Sequence, residues 1–212
     1  MAVSKNGFNG LVTGKIGATF YYIRYGKQEM RAAQHINKPK TENQLAVMQR
    51  MGLFSPIFKI LKLYIRVGFQ LAGIEKADSA NNCARSYNLK HAIIGQYPNQ
   101  EINYPAVRLS EGTLALPLNP LVESAPEGFK FTWDYNPLDP TGSQYDRTML
   151  MAYFPDQKMF FQIIGGALRS RCEELLDVAA IMKGNYAETY ISFITDDRSS
   201  ISNSVYTGRV LF

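Results

Sequence analysis

Four groups of residues have types and spacings that chemistry uses. The first is Gly10-Leu11-Val12-Thr13-Gly14-Lys15-Ile16-Gly17. A phosphate-binding loop needs four residues between its glycines and a Ser or Thr after the lysine, so that the backbone can ring the phosphates and the hydroxyl can ligate magnesium. Here three residues intervene, Ile16 follows the lysine, and no strand of adequate length precedes the stretch. Glycines at turns between short strands are therefore the expectation. The second group is the histidines, His35 and His91. A nucleophile–His–acid set or a zinc site would have to use one of them. His35 falls in a basic linker, and His91 is expected on the inner face of a helix, packed with one ring nitrogen hydrogen-bonded.

Carboxylates form the third group. Asp134-Tyr135-Asn136-Pro137-Leu138-Asp139 offers oxygen ligands, but its spacing does not match the D-x-[DN]-x-[DN]-G pattern of a calcium loop. Turn-forming Asp and Asn in a long connection between strands is the expectation. Nothing supports a paired-carboxylate hydrolase. Cys83 and Cys172 lie far apart, form no CxxC pair and make neither a metal nor a redox framework; a disulfide between them has no support. No catalytic, cofactor or metal residue is assigned.

The fourth group is basic. Eleven of the 23 Lys and Arg residues lie in the first 70 positions against only Glu29 and Glu42, a formal +9; the other 142 residues carry 12 bases and 16 acids, or −4. Lys5, Lys15, Arg24, Lys27, Arg31, Lys38 and Lys40 interleave with Phe8, Phe20, Tyr21, Tyr22 and Tyr25. Bases neutralise phosphates and aromatic rings stack on unpaired nucleobases, which is compatible with nucleic acid. No recognised nucleic-acid module accompanies them. An acidic neighbouring subunit would satisfy the same charge. Lys and Arg on exposed strands also discourage edge-to-edge aggregation. The candidate partner-binding residues are Lys15, Arg24, Lys27, Arg31, Lys38 and Lys40.

The elements that must position these groups are readable in outline. Gly7, Gly10, Gly14, Gly17 and Gly26 punctuate short apolar runs, and Ala18-Thr19-Phe20-Tyr21-Tyr22-Ile23-Arg24-Tyr25 reads as strand before a turn at Gly26. One or two β-hairpins with basic edges are expected. Thr41-Glu42-Asn43-Gln44 matches a capping box, opening a helix near residue 41. Ser55-Pro56 reads as the start of a second helix with Ile57, Phe58, Leu61, Tyr64 and Ile65 on one face, ended or bent at Gly68. A third is expected over about 79–94, with Ala80, Ala84, Tyr87, His91 and Ile94 sharing a face.

Beyond Tyr97-Pro98 the texture changes to short strand-like runs at 106–109, 113–117, 128–134, 147–154, 159–164, 174–178, 189–195 and 204–211. Turn residues such as Asn119-Pro120, Asn136-Pro137 and Asp196-Asp197 separate them. Phe129, Phe131 and Trp133 alternate with Lys130 and Thr132, the pattern of a strand with one buried face. That spacing of strands suggests an immunoglobulin- or fibronectin-III-like sandwich with Trp133 in its core.

A 46% hydrophobic fraction is that of a folded chain. Residues 1–7 lack the apolar core of a secretion signal, and the apolar stretch 53–69 is interrupted by Ser55, Pro56, Lys59, Lys62 and Arg66, too polar for a span of about 20 apolar residues. A cytoplasmic location, or a virion if the gene is a phage's, is the expectation.

Three stretches together resemble a family of small proteins of unknown function found in Bacteroidota. They are Asn6-Gly7 with Gly10, Gly14-Lys15, Gly17, Phe20-Tyr21-Tyr22 and Arg31; Lys38-Pro39 with Thr41, Gln44 and Arg50; and Ser202-Asn203-Ser204-Val205-Tyr206 with Gly208 and Val210. Ser86-Tyr87-Asn88-Leu89-Lys90 and Ile94-Gly95-Gln96-Tyr97-Pro98 also fit. The resemblance implies one architecture across nearly the whole chain and a bacterial or phage source. It brings no catalytic residues.

The expected fold is α+β, an N-terminal β-hairpin and helical region over 1–100 followed by an immunoglobulin-like β-sandwich over 101–212. The expected function is a non-enzymatic structural or interaction protein, such as a subunit of a virion or another large assembly, docking on a copy of itself or another subunit through its basic arm. The alternative is a nucleic-acid-binding module built on the same residues.

Overall fold

The computed structural model describes residues 3–4, 10–24, 26–33 and 39–212. They form two compact units, Met1–Thr41 and Glu42–Phe212. The first is an antiparallel sheet of β1 (Val3–Ser4), β2 (Val12–Ile16), β3 (Thr19–Arg24) and β4 (Lys27–Ala32), paired in that order. Gly17, at φ +55°, takes the first position of the two-residue turn that closes β2 onto β3, a conformation that matches the twist of the strands and strains any residue with a Cβ.

The second unit opens with helices α1 (Glu42–Ile60), α2 (Lys62–Gly68), α3 (Gln70–Glu75) and α4 (Ala80–His91). Pro56 does not open a helix; it lies inside α1, where Phe54, Ile57 and Phe58 are all buried. Pro56 forfeits one backbone bond and crowds the carbonyl of Gly52, and burial of that aromatic and aliphatic face carries the helix through regardless. The helical run is interrupted at Leu61 and Phe69, both buried, and backbone bonds from Ile65 N to Leu61 O and from Gly73 N to Phe69 O join the pieces. Ser79 caps α4, its hydroxyl accepting from Asn82 N at 3.2 Å. The face α4 buries is Cys83, Ala84 and Asn88, and His91 is exposed against the ring of Tyr87 rather than turned inward.

A small hairpin of β5 (Ile93–Ile94) and β6 (Glu101–Ile102) leads into seven strands: β7 (Leu118–Ala125), β8 (Gly128–Asp134), β9 (Arg147–Phe154), β10 (Met159–Leu168), β11 (Glu173–Asp177), β12 (Tyr186–Ile194) and β13 (Val205–Leu211). They pair as β10-β9-β12-β13 and β11-β8-β7, all antiparallel. Lettered A to G in chain order, this is the seven-strand immunoglobulin arrangement with the fourth strand moved to the C-F-G sheet. The sandwich core holds Phe129, Phe131 and Trp133 from one sheet and Leu150, Phe154, Ile191 and Phe193 from the other. Trp133 meets Phe193 edge-on at 5.6 Å and donates from Nε1 to Arg169 O at 2.7 Å.

Two strand assignments change. Residues 106–109 continue from a 3-10 turn over Tyr104–Ala106, and 113–117 retain one bridge, Leu114 to Ser202. The missing strand is β7, which includes Asn119-Pro120 because a bulge between Leu118 and Leu121 absorbs them, with Asn119 at φ +44°. Nor does the fold divide at residue 100. Phe54, Phe58, Tyr64 and Ile65 of the helices share one core with Met149, Met151, Tyr153 and Tyr190 of the larger sheet. Strand β9 is consequently buried on both faces, with helices on one side and the smaller sheet on the other.

Candidate docking face of the N-terminal sheet

Antiparallel pairing puts directly opposed residues on the same face. Lys15 opposes Phe20, Phe20 opposes Arg31, Tyr22 opposes Glu29 and Arg24 opposes Lys27. One face of the sheet therefore collects four of the six sequence-derived candidates, Lys15, Arg24, Lys27 and Arg31, all exposed. Lys40 is exposed on the segment before α1, and Lys38 lies outside the described residues.

The Phe20 ring sits between two cations, with Lys15 Nζ 5.8 Å and the Arg31 guanidinium 5.7 Å from its centroid. Such contacts hold two long side chains over one ring and fix where their charge is presented. The Tyr22 hydroxyl is hydrogen-bonded to Glu29, which raises its pKa above the ordinary phenol value. Glu29 is the one acid on this face, so four bases outweigh it. The opposite face carries Val12 and Ile16 from β2, Tyr21 and Ile23 from β3, and Met30 from β4. Ile16, Ile23 and Met30 are exposed, Met30 at 70%. The charge total was legible in composition; the segregation of bases from aliphatics was not, because it depends on register.

The other chemical candidates resolve into structure. His91 and Cys83 line one groove of about 370 Å³. They are eight positions apart on α4, about 12 Å along the axis, too far for a nucleophile–base pair. Burial pushes the Cys83 thiol up, away from the reactive thiolate. In the acidic loop, Asp139 accepts from the Thr141 backbone and hydroxyl at 2.9 and 2.7 Å, Asn136 accepts from Leu138 N, and Asp134 accepts from Asn119. The bonds to Asp139 and Asn136 are turn contacts, and the one to Asp134 joins β7 to β8. Among the described residues no group of three His, Cys, Asp or Glu side chains could hold a metal ion, and no helix is long and apolar enough to cross a membrane.

Residues 202–204 could pass for a nucleophile cluster, yet each side chain ties down backbone. Ser202 Oγ accepts from Phe193 N at 2.8 Å, Asn203 Oδ1 from Gly112 N at 3.2 Å and Ser204 Oγ from Leu109 N at 2.8 Å. Asn203 and Ser204 fasten the 109–112 loop, and Ser202 fastens the segment to β12 of the larger sheet.

A family model described as a family of unknown function, DUF6266, matches residues 7–208. The chain belongs to that family. No curated protein and no solved structure matches it. The DUF6266 match includes β2, β3 and β4 of the first compact unit and nearly all of the second.

Proposed function

We propose that this DUF6266 protein is a non-enzymatic interaction protein. It docks through its N-terminal sheet on an acidic protein surface, within a larger assembly of a bacterium or one of its phages. The observation that carries this reading is the two-sided character of that sheet: Lys15, Arg24, Lys27 and Arg31 on one face and exposed Ile16, Ile23 and Met30 on the other. A sheet this small gains little stability alone, so packing a face of it on a partner is favoured, and the register leaves the basic face free of the aliphatics for an acidic surface to meet. Opposite charge would steer the encounter and set its orientation.

The test compares the full chain with a variant carrying Lys15→Gln, Arg24→Gln, Lys27→Gln and Arg31→Gln. Mass in solution and in extract of the native cells should show a complex for the wild type that the variant loses. A single-chain mass for both, in both settings, would falsify the reading.

Phe20 and Tyr22 share the cationic face, and that observation supports the second reading, stacking on single-stranded nucleic acid. Binding would then weaken linearly in log salt as counterions are released. Glu29 in the middle of the face opposes phosphate, which is why protein docking is preferred.

A further inference from the structure

The outer face of the smaller sandwich sheet bears the opposite charge. Its rows are Leu121, Thr132 and Glu173; then Glu123, Lys130 and Leu175; then Ala125, Gly128 and Asp177. Asp134 lies on the same side at the end of β8. Four carboxylates, Glu123, Asp134, Glu173 and Asp177, are all exposed there and outnumber the bases beside them, Lys130, which pairs with Glu173 at 2.7 Å, and Arg171, whose charge also acts on Glu173. Leu121, 64% exposed, and Leu175 add apolar area among them.

The N-terminal sheet's charged face has the reverse surplus: four bases, one acid, and the rings of Phe20 and Tyr22 between them. Each face includes a width of three antiparallel strands, about 10 Å across. We propose that the basic face of one copy packs on the outer face of β7, β8 and β11 of a second copy, and that the second copy returns the same contact. The inference rests on the docking reading above and names its partner surface. Opposite surplus charge on faces of matching width removes the need for any other partner. Reciprocal exchange closes a two-fold dimer that covers both faces in each chain.

Three full-length proteins test it: wild type, Lys15→Glu with Arg31→Glu, and Glu123→Lys with Asp177→Lys. All four positions are exposed, so folding, checked by thermal melting, should survive. Mass against concentration should show the wild type reaching twice the chain mass, more weakly at high salt. Each variant alone should need at least about tenfold more protein to do so, because like charges then face each other. An equimolar mixture should restore dimers, since the reversed arm of one meets the reversed sheet of the other. A mixture that stays monomeric while the wild type dimerises overturns the inference, as does a wild type that stays monomeric throughout. If reversing the arm abolishes association and reversing the sheet leaves it intact, docking stands and this surface is wrong. If neither reversal changes association, both fail.

Discussion

Asn88 holds the Arg108 backbone on both sides of its Cα: Nδ2 donates to Arg108 O and Oδ1 accepts from Arg108 N, each at 2.8 Å. Nδ2 also donates to Ala84 O in the preceding turn of α4. A fully buried amide thus joins the helices to the segment entering the sandwich, while the Arg108 guanidinium lies 3.9 Å over the Tyr87 ring. Asn88→Ala removes three bonds and strands the Arg108 N–H and C=O away from water. We expect a loss of about 2–4 kcal/mol, read from urea unfolding, with an unchanged m-value.

Arg169 and Asp146 form a buried ion pair at 3.0 Å, and Arg169 also donates to Ala115 O at 2.8 Å and lies 3.9 Å over the Phe193 ring. Burial depresses the guanidinium pKa, and the Asp146 charge opposes that shift. Asp146→Ala leaves a desolvated cation and should destabilise by about 3–5 kcal/mol in thermal or chemical unfolding. The double change Asp146→Leu with Arg169→Leu should be clearly less harmful than the single one, because no charge is then stranded.

Two glycines of the helical region should respond in opposite directions. A Cβ on Gly68 would meet Leu109 O at 2.3 Å and Ser110 Cβ at 3.0 Å, whereas one on Gly52 meets nothing within 4 Å. Gly68→Ala should lower stability by about 1–3 kcal/mol, backbone displacement outweighing the gain in helix propensity. Gly52→Ala, exposed inside α1, should raise it by about 0.5–1 kcal/mol. Melting temperatures of the pair decide both signs in one experiment.

Asp197 shapes the turn between β12 and β13. Its carboxylate accepts from the Ser199 backbone at 2.9 Å and hydroxyl at 2.7 Å, and these bonds hold its pKa down to about 2 against 3.8 in the unfolded chain. A pKa depressed in the folded state means stability that is complete above pH 3.8 and is lost as pH falls through 2. Between pH 5 and pH 2 the wild type should therefore lose more stability than Asp197→Asn. Parallel urea midpoints for the two proteins across that range would refute this.

Local pattern carried much of the architecture. Alternation in 128–134 announced a half-buried strand with Trp133 inward, and the structure has it. A helix starting near residue 79 and the helical face from Ile57 to Ile65 follow from periodicity, which acts within a few residues. The outward position of His91 is not legible in sequence, because several α4 positions have similar hydropathy and which one turns inward depends on what packs there. Pro56 and Asn119-Pro120 look like boundaries in the sequence for the same kind of reason. Proline and asparagine discourage regular structure locally, and burial of Phe54 and Phe58 or a bulge in β7 overrides them.

In the candidate docking face, sequence by itself determined the surplus of positive charge, its aromatic company and its position at the start of the chain. Only tertiary structure decided that Lys15, Arg24, Lys27 and Arg31 share a face with Phe20 while Ile16, Ile23 and Met30 share the other. Side chains alternate along a strand, so the pairing register chooses the companions of each residue, and a slip of one would exchange the faces. Likewise, the near-continuous apolar run 149–154 reads as buried strand, but its two covers, helices on one side and β7, β8 and β11 on the other, come from segments up to about 100 residues away. Contacts at that separation are set by the global packing minimum, which no local window of sequence contains.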